Sequence, residues 1–427
     1  MRTYDTYKDS GISWLGQIPS HWELKPGFSL YHVNNEKFDM LSEPTVLSLS
    51  YGNIIVKKNK DEGLVPENYS GYQVIKPDYI IIRCTDLQND KVSLRTGIAK
   101  NHGIITGAYL GLIANYGFNA QYLHYFLHDW DITKEIYRHG SGLRQVLSWN
   151  DMKRLPILVP PLAEQEAIVA YLDRATAEID KAIASQQRMV ELLQERKQII
   201  INQAVTQGLN PDAPMKPTNI DWLPQIPAHW NVTRIKNIAS VKTGKTPPSD
   251  SKEYYENGDI LWYTPGDFYS DSIYLNDSER KITDKSIKEG IVKLFPKNSV
   301  LLVSIGGSIG KVGLSKCICF SNQQINAIIP NDLNDSAFLA YYLQSKSSYI
   351  YSEANTATLP IINQQMTKQL MIALPPLAEQ VSIVIFIELS IEPINKAISR
   401  CERKMELLTE RKQILINDVV TGKIKVV

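Results

Sequence analysis

The chain has 427 residues, with 46 lysines and arginines against 45 aspartates and glutamates, and therefore a formal net charge of +1. This length allows two or three domains with hydrophobic cores, and the near-neutral charge excludes a strongly basic, general polyanion binder. No run of 18 apolar residues occurs, and the N-terminal stretch MRTYDTYKDSGISW has no apolar signal-peptide core. Four cysteines are too few for a disulfide framework in a chain of this size, which favours a reducing cytoplasm: Cys84, Cys317, Cys319 and Cys401.

A short motif near the N-terminus is repeated later in the chain. WLGQIPSHWE at Trp14–Glu23 reappears as WLPQIPAHWN at Trp222–Asn231, with seven of ten positions identical. Each copy precedes a long region, and the two long regions barely resemble each other.

The first variable region has the pattern of a small mixed domain. Strand-like runs occur at Thr45–Ser50, Tyr79–Arg83 and Ile104–Thr106, and an apolar helical stretch occurs at Ala120–Leu127. His124 and His128 have the spacing of metal ligands on a helix. Aromatic residues surround them in YLHYFLHDW, so we expect core packing and no metal.

A long motif follows each variable region. Residues 160–205 and 375–420 align without a gap, and 24 of the 46 positions are identical, beginning with PPLAEQ in both copies. Apolar residues recur mostly at steps of three, four or seven, which predicts a helix of about forty residues with a narrow seam for a partner helix. In the first copy the seam comprises Ile168, Leu172, Ala175, Ile179, Ala182, Met189, Leu193 and Ile200, and in the second Ile383, Ile387, Ile391, Ile394, Ile398, Cys401, Met405, Leu408, Leu415 and Val419.

The ends of these helices also have signals. Gly208 and Gly422 can supply left-handed caps at the C-terminal ends. Pro393 lies inside the second helix, where a proline removes a backbone hydrogen bond, so we expect the continuous rods to begin near Ile394 and near Ile179. Further apolar residues lie outside the seam and recur in both copies, as expected for a surface that docks another protein: Val169, Ile199, Ile201, Val384, Ile414 and Ile416.

The second variable region also reads as mixed α and β. Val300–Ile305 is strand-like and Ala337–Leu343 is helical. GGSIGK at Gly306–Lys311 resembles a phosphate loop, but Ile305 and Val312 stand where a nucleotide-binding loop needs glycine and a hydroxyl. No arrangement of residues in either region has the pattern of a catalytic or metal site.

Two similar helices in one chain, each with an unpaired seam, most simply pair with each other. The expected fold class is α+β: two mixed α/β domains separated by two long antiparallel helices in a coiled coil, with an internal pseudo-twofold repeat. The expected domains are residues 1–159, a first helical spacer at 160–213, a second variable domain at 214–374, and a second helical spacer at 375–427.

Polar and basic side chains in the predicted loops are suited to phosphates and base edges. For any single residue, an ordinary loop role is an equally good interpretation. The first variable domain offers Tyr51, Asn53, Lys57, Lys58, Asn59, Arg83, Thr85 and Arg95, and the second offers Lys245, Thr246, Ser249, Tyr263, Thr264, Ser308, Lys311, Asn322, Gln323 and Gln324.

Together the repeated motifs resemble the specificity subunits of type I restriction–modification enzymes over essentially the whole chain. The resemblance rests on the two short motifs, on the PPLAEQ helices with their ELLQERKQIIIN and ELLTERKQILIN segments, and on IGGSIGKVG followed by SNQQINAI. It implies that each variable region is a target recognition domain that reads one half of a bipartite site in double-stranded DNA. The helices would define the spacer.

The resemblance also implies partners. Two methyltransferase subunits and, where present, two restriction subunits would bind S-adenosylmethionine, ATP and Mg, so this chain would hold no cofactor and no catalytic residue. Two alternatives stay open from the residues alone: a two-headed coiled-coil adaptor that binds proteins, and an enzyme whose active site lies hidden in the first variable domain.

Overall fold

The structure is a computed structural model that describes residues 2–39, 44–57, 69–85, 87, 94–138, 146–269, 272–354 and 360–426. Two compact units divide the chain: Met1–Gln186 with Arg403–Val427, and Gln187–Glu402. The helices are α1 Gly27–Leu30, α2 Ala120–Ile132, α3 Trp149–Met152, α4 Leu162–Gln207, α5 Ile235–Ile238, α6 Asp284–Lys288, α7 Ser336–Ser345, α8 Ser347–Ser352, α9 Gln364–Gln369 and α10 Leu377–Val420. The variable part of each unit is called the first head (residues 24–159) and the second head (residues 232–374).

The first unit contains short strands around an apolar core. One sheet has the order β4-β11-β8-β9, all antiparallel, and α2 packs against it. The predicted strands and the predicted helix in this region are present, with shifted ends. The strands are β1 Tyr7–Asp9, β2 Gln17–Pro19, β3 Glu23–Pro26, β4 Tyr31–Val33, β5 Leu47–Ser50, β6 Asn53–Val56, β7 Tyr72–Ile75, β8 Ile80–Ile82, β9 Thr96–Ile98, β10 Gly103–Thr106, β11 Leu110–Ala114 and β12 Pro156–Val159.

The second unit has a larger sheet. Its order is β16-β23-β20-β21-β18, and a smaller sheet has the order β19-β17-β22. The predicted strand at 300–305 is β20, and the predicted helix at 337–343 is α7. The strands are β13 Met215–Pro217, β14 Gln225–Pro227, β15 Asn231–Arg234, β16 Ala239–Thr243, β17 Ile260–Tyr263, β18 Tyr274–Leu275, β19 Lys281–Ile282, β20 Val300–Val303, β21 Val312–Ser315, β22 Phe320–Ser321, β23 Ile325–Pro330 and β24 Met371–Leu374.

Each unit contains a segment of both long helices. In the first unit the Lys412 ammonium binds both carboxylate oxygens of Asp180 at 2.7 Å. In the second unit the Lys197 ammonium donates to Asn395 Oδ1 at 2.9 Å. The two contacts occupy matching positions of the repeat, since 180 + 215 = 395 and 197 + 215 = 412. A lysine from one copy therefore meets the same polar position of the other copy in both units.

The prediction that Pro393 delays the start of a continuous rod is wrong. α10 runs from Leu377 through Pro393 to Val420, and α4 runs unbroken from Leu162. Pro393 lies on the exposed side of α10, as does Leu389, whose carbonyl loses its usual amide partner. Water can hydrogen-bond that carbonyl, so the helix tolerates the proline.

The caps predicted at the helix ends are confirmed, because Gly208 and Gly422 both have φ of +76°. The six residues predicted to form a docking surface divide into three groups. Val169 is half-buried against the core of the first unit. Ile199 and Ile414 are 48% and 53% exposed. Ile201, Ile416 and Val384 are instead buried, because the helices are also covered by the globular part of their units: Ile416 belongs to the core of the first unit, and Ile201 and Val384 to that of the second.

Candidate nucleic-acid interface

A half-buried carboxylate at the start of α4 joins the short motif to the long one. Glu164 Oε2 accepts from Trp22 Nε1 at 3.1 Å and lies 2.9 Å from His21 Nε2, and Oε1 accepts from the Tyr4 hydroxyl. Trp22 is completely buried, so this carboxylate satisfies an indole N–H that water does not reach.

The second unit repeats the arrangement with the matching residues. Glu379 accepts from Trp230 Nε1 at 3.1 Å and lies 2.8 Å from His229 Nε2. Trp230 is also completely buried. We call this contact between a histidine–tryptophan pair and the helix glutamate the clamp.

The next glutamine positions the head helix in both units. Gln165 Oε1 accepts from the Asn119 amide at 2.9 Å, and Asn119 caps α2 by accepting from Tyr122. In the second unit Gln380 Oε1 accepts from the Asp335 amide at 2.8 Å, and Asp335 caps α7. The EQ pair of PPLAEQ therefore fixes the short motif with its glutamate and one helix of the head with its glutamine.

The C-terminal end of each long helix packs on the short motif of its own unit. A Cβ placed on Gly422 would lie 2.4 Å from Pro19 and 3.2 Å from Trp22, and one on Gly208 would lie 3.3 Å from Trp230. The end of α10 thus packs on the first short motif, and the end of α4 packs on the second. Close packing as well as φ requires glycine at the end of α10, whereas at the end of α4 the positive φ favours glycine and the packing is tight.

The second head gathers most of its predicted contact residues at one edge of the large sheet. The antiparallel registers Thr243↔Asn326, Val303↔Ile325 and Leu302↔Val312 place the end of β16, the start of β23, the end of β20 and the start of β21 at that edge. We call it the loop edge. Candidates in its loops are Lys245, Thr246, Ser308, Lys311, Asn322, Gln323 and Gln324.

Hydrogen bonds organise the loop edge. The Lys245 amide donates to the Ser321 carbonyl at 2.8 Å, and the Thr246 hydroxyl donates to Gln323 Oε1. Asn322 Nδ2 donates to Gln324 Oε1 at 2.9 Å. Among these residues, the side chains of Lys245, Thr246 and Gln323 face solvent.

Three candidates of the second head are poorly placed for contact. Tyr263 is completely buried, Asn322 is 8% exposed, and the Thr264 hydroxyl donates to Asp267 at 2.9 Å as part of a capping box. Tyr263 and Asn322 are therefore framework residues of this head. Ser249 is exposed on the segment after β16.

The first head brings fewer candidates together. Tyr51 is 89% exposed with φ of +47° at the tip of the β5–β6 hairpin, and Asn53 is exposed beside it. Lys57 is also exposed, but it follows β6 at the opposite end of the hairpin, where its amide donates to the Val46 carbonyl at 2.9 Å. A Cβ on the neighbouring Gly52 would lie 3.1 Å from the Leu94 side chain, so the hairpin tip packs on the segment before β9. Lys58 and Asn59 lie outside the described residues.

Arg95 cannot serve as the predicted DNA contact in this conformation, because it is completely buried. Its guanidinium donates to the Thr85 carbonyl at 2.7 Å and to the Tyr137 hydroxyl at 3.0 Å. Arg83 and Thr85, at the end of β8, are half-buried. Sequence reasoning missed this role because a basic loop residue is usually solvated, whereas this one satisfies backbone carbonyls inside the head.

His124 is buried and His128 is half-buried in the first head, as the aromatic surroundings predicted. Burial lowers the pKa of His124 to about 3 and that of His128 to about 4, so both rings are neutral. Neither ring nitrogen of His124 has a hydrogen-bond partner among the described residues. No group of three or more histidine, cysteine or acidic side chains within the described ranges could hold a metal ion.

Comparison with known proteins finds similarity to specificity subunits of type I restriction enzymes. Residues 227–400 match the family described as "Type I restriction modification DNA specificity domain". The type I restriction enzyme MjaIX specificity subunit of Methanocaldococcus jannaschii is 37% identical over 162 residues, which is 37% of each chain. The putative MjaX specificity subunit of the same organism is 24% identical over 430 residues, or 96% of each chain.

Two further matches agree. The EcoR124I/EcoR124II specificity subunit of Escherichia coli is 26% identical over 297 residues, or 67% of each chain. A solved structure described as the "structural basis underlying complex assembly and conformational transition of the type I R-M system" has a TM-score of 0.69 at 16% identity. It covers 95% of this chain and 99% of its own, and therefore shows a shared fold. None of the helices formed by the described residues has the length and apolarity needed to cross a bilayer.

Proposed function

Because the chain belongs to the family of type I restriction–modification DNA specificity subunits, we propose that its two heads each read one half of a bipartite DNA site. The observation that supports this most strongly is the contrast between an identical clamp and unlike heads. Glu164 and Glu379 hold their short motifs through the same contacts, whereas the sheets that follow differ in strand number and order. A repeated frame that presents two different surfaces suits two different half-sites.

The repeated helices are proposed to set the distance between the heads. The Asp180–Lys412 and Lys197–Asn395 contacts support an antiparallel pair, since 180 + 412 = 592 and 197 + 395 = 592. In an antiparallel pair the residue numbers of contacting residues add to a constant total, because the number rises along one helix as it falls along its partner. The repeat offset of 215 matches Asp180 with Asn395 and Lys197 with Lys412, so the repeat converts one contact into the other. This relation supports a pseudo-twofold axis between the copies.

The pseudo-twofold arrangement supports two copies of one partner. Exposed apolar side chains occur at matching positions of the two helices, which would offer two similar docking surfaces. The exposed fractions are 44% and 40% for Leu162 and Leu377, 44% and 48% for Leu192 and Leu407, and 48% and 53% for Ile199 and Ile414. We assign these surfaces to two methyltransferase subunits, with restriction subunits added where the system has them.

Catalysis is assigned to those partners. They would bind S-adenosylmethionine for adenine methylation, and ATP with Mg for translocation and cleavage. The side chains of this chain would position the duplex, and Lys245, Thr246 and Gln323 of the second head and Tyr51, Asn53 and Lys57 of the first would face it.

Mapping methylated adenines tests this function. Genomes of cells that express the methyltransferase subunit with and without this chain should differ by methylation at one bipartite sequence. Duplex binding by the purified complex should show the same sequence preference. A protein-binding adaptor would leave methylation unchanged and would bind no duplex.

The spacer is tested by insertion of one heptad after Gln187 and one after Glu402, which are matching positions of the repeat. Seven residues lengthen a helix by ~10 Å, and a base pair rises ~3.4 Å, so the unread spacer should grow by roughly three base pairs. The half-sites should stay the same, because no head residue changes. An unchanged spacer with full activity would show that the partner subunits set the distance.

A further inference from the structure

We propose that the loop Gly306–Lys311 of the second head binds a phosphate of the DNA backbone and anchors the duplex without reading its sequence. This rests on the proposed function of the head as a DNA reader. It gives a role to the GGSIGK motif, whose sequence departs from that of nucleotide-binding loops at Ile305 and Val312.

The loop is a fixed turn between β20 and β21. Gly306 and Gly310 have φ of +85° and +87°, a conformation that side chains with a Cβ seldom adopt. The Ile309 amide donates to the Gly306 carbonyl at 3.2 Å, and the Gly310 amide donates to the Val303 carbonyl at 3.1 Å. These bonds hold the loop open without using its outermost amides.

The outermost donors of the loop are available to a ligand. The amides of Gly307 and Ser308 and the Ser308 hydroxyl make no hydrogen bond with any residue in the described ranges. A Cβ added to Gly306 or Gly307 would meet open space, so an approaching group meets no side chain there. Successive free amides at a glycine-rich turn form a concavity that binds anions.

The loop also contains a lysine, Lys311, whose amide donates to the Ser308 carbonyl at 3.2 Å. Lys311 is exposed and forms no ion pair with any side chain that the structure describes. The loop lies at the loop edge, where Lys245 and Thr246 also face solvent. The anion site is therefore part of the surface proposed to face the duplex.

A backbone phosphodiester fits these donors better than a nucleotide does. The donors amount to two amides, a hydroxyl and one ammonium, which suits a single negative charge. A nucleoside triphosphate with its metal ion would need a serine or threonine hydroxyl as a metal ligand at the position where this chain has Val312. Main-chain amides and a lysine give no sequence information, so the contact should position the DNA equally on every sequence.

Two pairs of variants of the full chain, each in complex with its methyltransferase subunit, test the proposal by fluorescence anisotropy. Lys311→Gln removes the cation, and Lys297→Gln is its control, because Lys297 is an exposed lysine just before β20, at the opposite end of that strand. Gly307→Asp adds a repelling charge in open space, and Gly307→Asn is the uncharged control of equal size. Each variant is measured on a target duplex and on an unrelated duplex across a range of salt concentrations.

Lys311→Gln should weaken binding to both duplexes by about eightfold at 0.1 M salt and lower the salt slope by about 0.9, as expected for one lost phosphate contact. Gly307→Asp should weaken both by more than about tenfold, whereas Lys297→Gln and Gly307→Asn should leave binding and slope near those of the unaltered chain. The methylated sequence should be the same for all variants.

Two results would overturn the proposal. Equal affinity and equal salt slope for Lys311→Gln and Lys297→Gln would show that no phosphate is bound by the loop. An altered methylated sequence with Lys311→Gln would show that the loop reads bases. Failure of the unaltered complex to bind any duplex would instead refute the proposed function itself.

Discussion

Replacement of the two clamp glutamates by alanine should have unequal effects on the two units. Glu164→Ala removes the acceptor of three side chains, namely Tyr4, His21 and Trp22. Among the described residues, Glu379→Ala removes the acceptor of two side chains, His229 and Trp230. The repeat places Asp212 where the first unit has Tyr4, since 4 + 208 = 212. The first clamp therefore loses one more buried donor than the second.

The size of the difference follows from burial. Trp22 and Trp230 are both completely buried and Tyr4 is 7% exposed, so each indole or hydroxyl left without an acceptor costs about 1–3 kcal/mol. The histidine side chains are 50% and 52% exposed and contribute similarly little in each unit. A cleft of about 330 Å³ adjoins Tyr4, His21 and Glu164, so water can reach part of the site and favours the lower end of the range. Glu164→Ala should thus cost about 1–2 kcal/mol more than Glu379→Ala.

Hydrogen exchange with mass spectrometry measures both units in one sample, because peptides from 14–26 and 222–234 report on the two short motifs separately. A double-mutant cycle with Tyr4→Phe and Glu164→Ala isolates the extra contact, and its coupling energy should be about 1–2 kcal/mol. Equal losses in the two units, or a coupling energy of zero, would refute the account of the clamp given above.

Three further predictions concern the helices and the first head. Lys197→Ala should cost its unit about 2–3 kcal/mol of unfolding free energy, because Lys197 is only 5% exposed. Lys412→Ala should cost under about 1 kcal/mol, because its partner Asp180 is 56% exposed. Equal losses of stability in thermal unfolding would contradict the difference in burial. The first unit should lose stability as pH falls below 6.5, because His124 and His128 are neutral when folded and become protonated when unfolded, at a cost of at most about 2 kcal/mol each between pH 7 and 5. Asp129 acts in the opposite sense between about pH 4 and 6, since burial raises its pKa to about 6. When the capping residues Asn119 and Asp335 are aligned, the second head has Ala340 and Gln344 where the first has His124 and His128. The double variant His124→Ala, His128→Gln should therefore lose less unfolding free energy between pH 7 and pH 5 in urea titrations. An unchanged loss would exclude these rings as its source. Ile199→Asp and Ile414→Asp should each weaken assembly with the methyltransferase subunit in analytical ultracentrifugation, with Glu195→Asp as a surface control, and unaltered assembly would place docking elsewhere.

Sequence patterns revealed the repeated frame because both copies use the same residues at the same spacing. They did not reveal what the frame does. Glu164 and Trp22 are 142 residues apart, and nothing local marks them as partners. The structure shows that the shared motifs occur together because the glutamate of one satisfies the indole of the other.

Side-chain exposure was the least predictable property. Ile201 and Ile416 lie off the helix seam, yet they are buried because the globular part of each unit covers a second face of its helix segment. Arg95 is a basic residue of the kind that contacts DNA, but its guanidinium donates to the Thr85 carbonyl inside the first head. The loop edge of the second head could not be assembled from sequence, because it depends on strand register across residues 239–330. Periodicity reports one face of an element, whereas these roles depend on which other elements cover it.

The independence of the two heads is tested most directly by replacing residues 232–374 with the corresponding region of a relative and sequencing the methylated sites. Both graft ends fall at repeated motifs, so Trp230 keeps its contact with Glu379 and the long helices keep the Asp180–Lys412 and Lys197–Asn395 contacts. One half-site should change to that of the donor while the other half-site and the spacer length stay the same. A change in both half-sites, or in neither, would contradict the claim that each head reads its own half of the target.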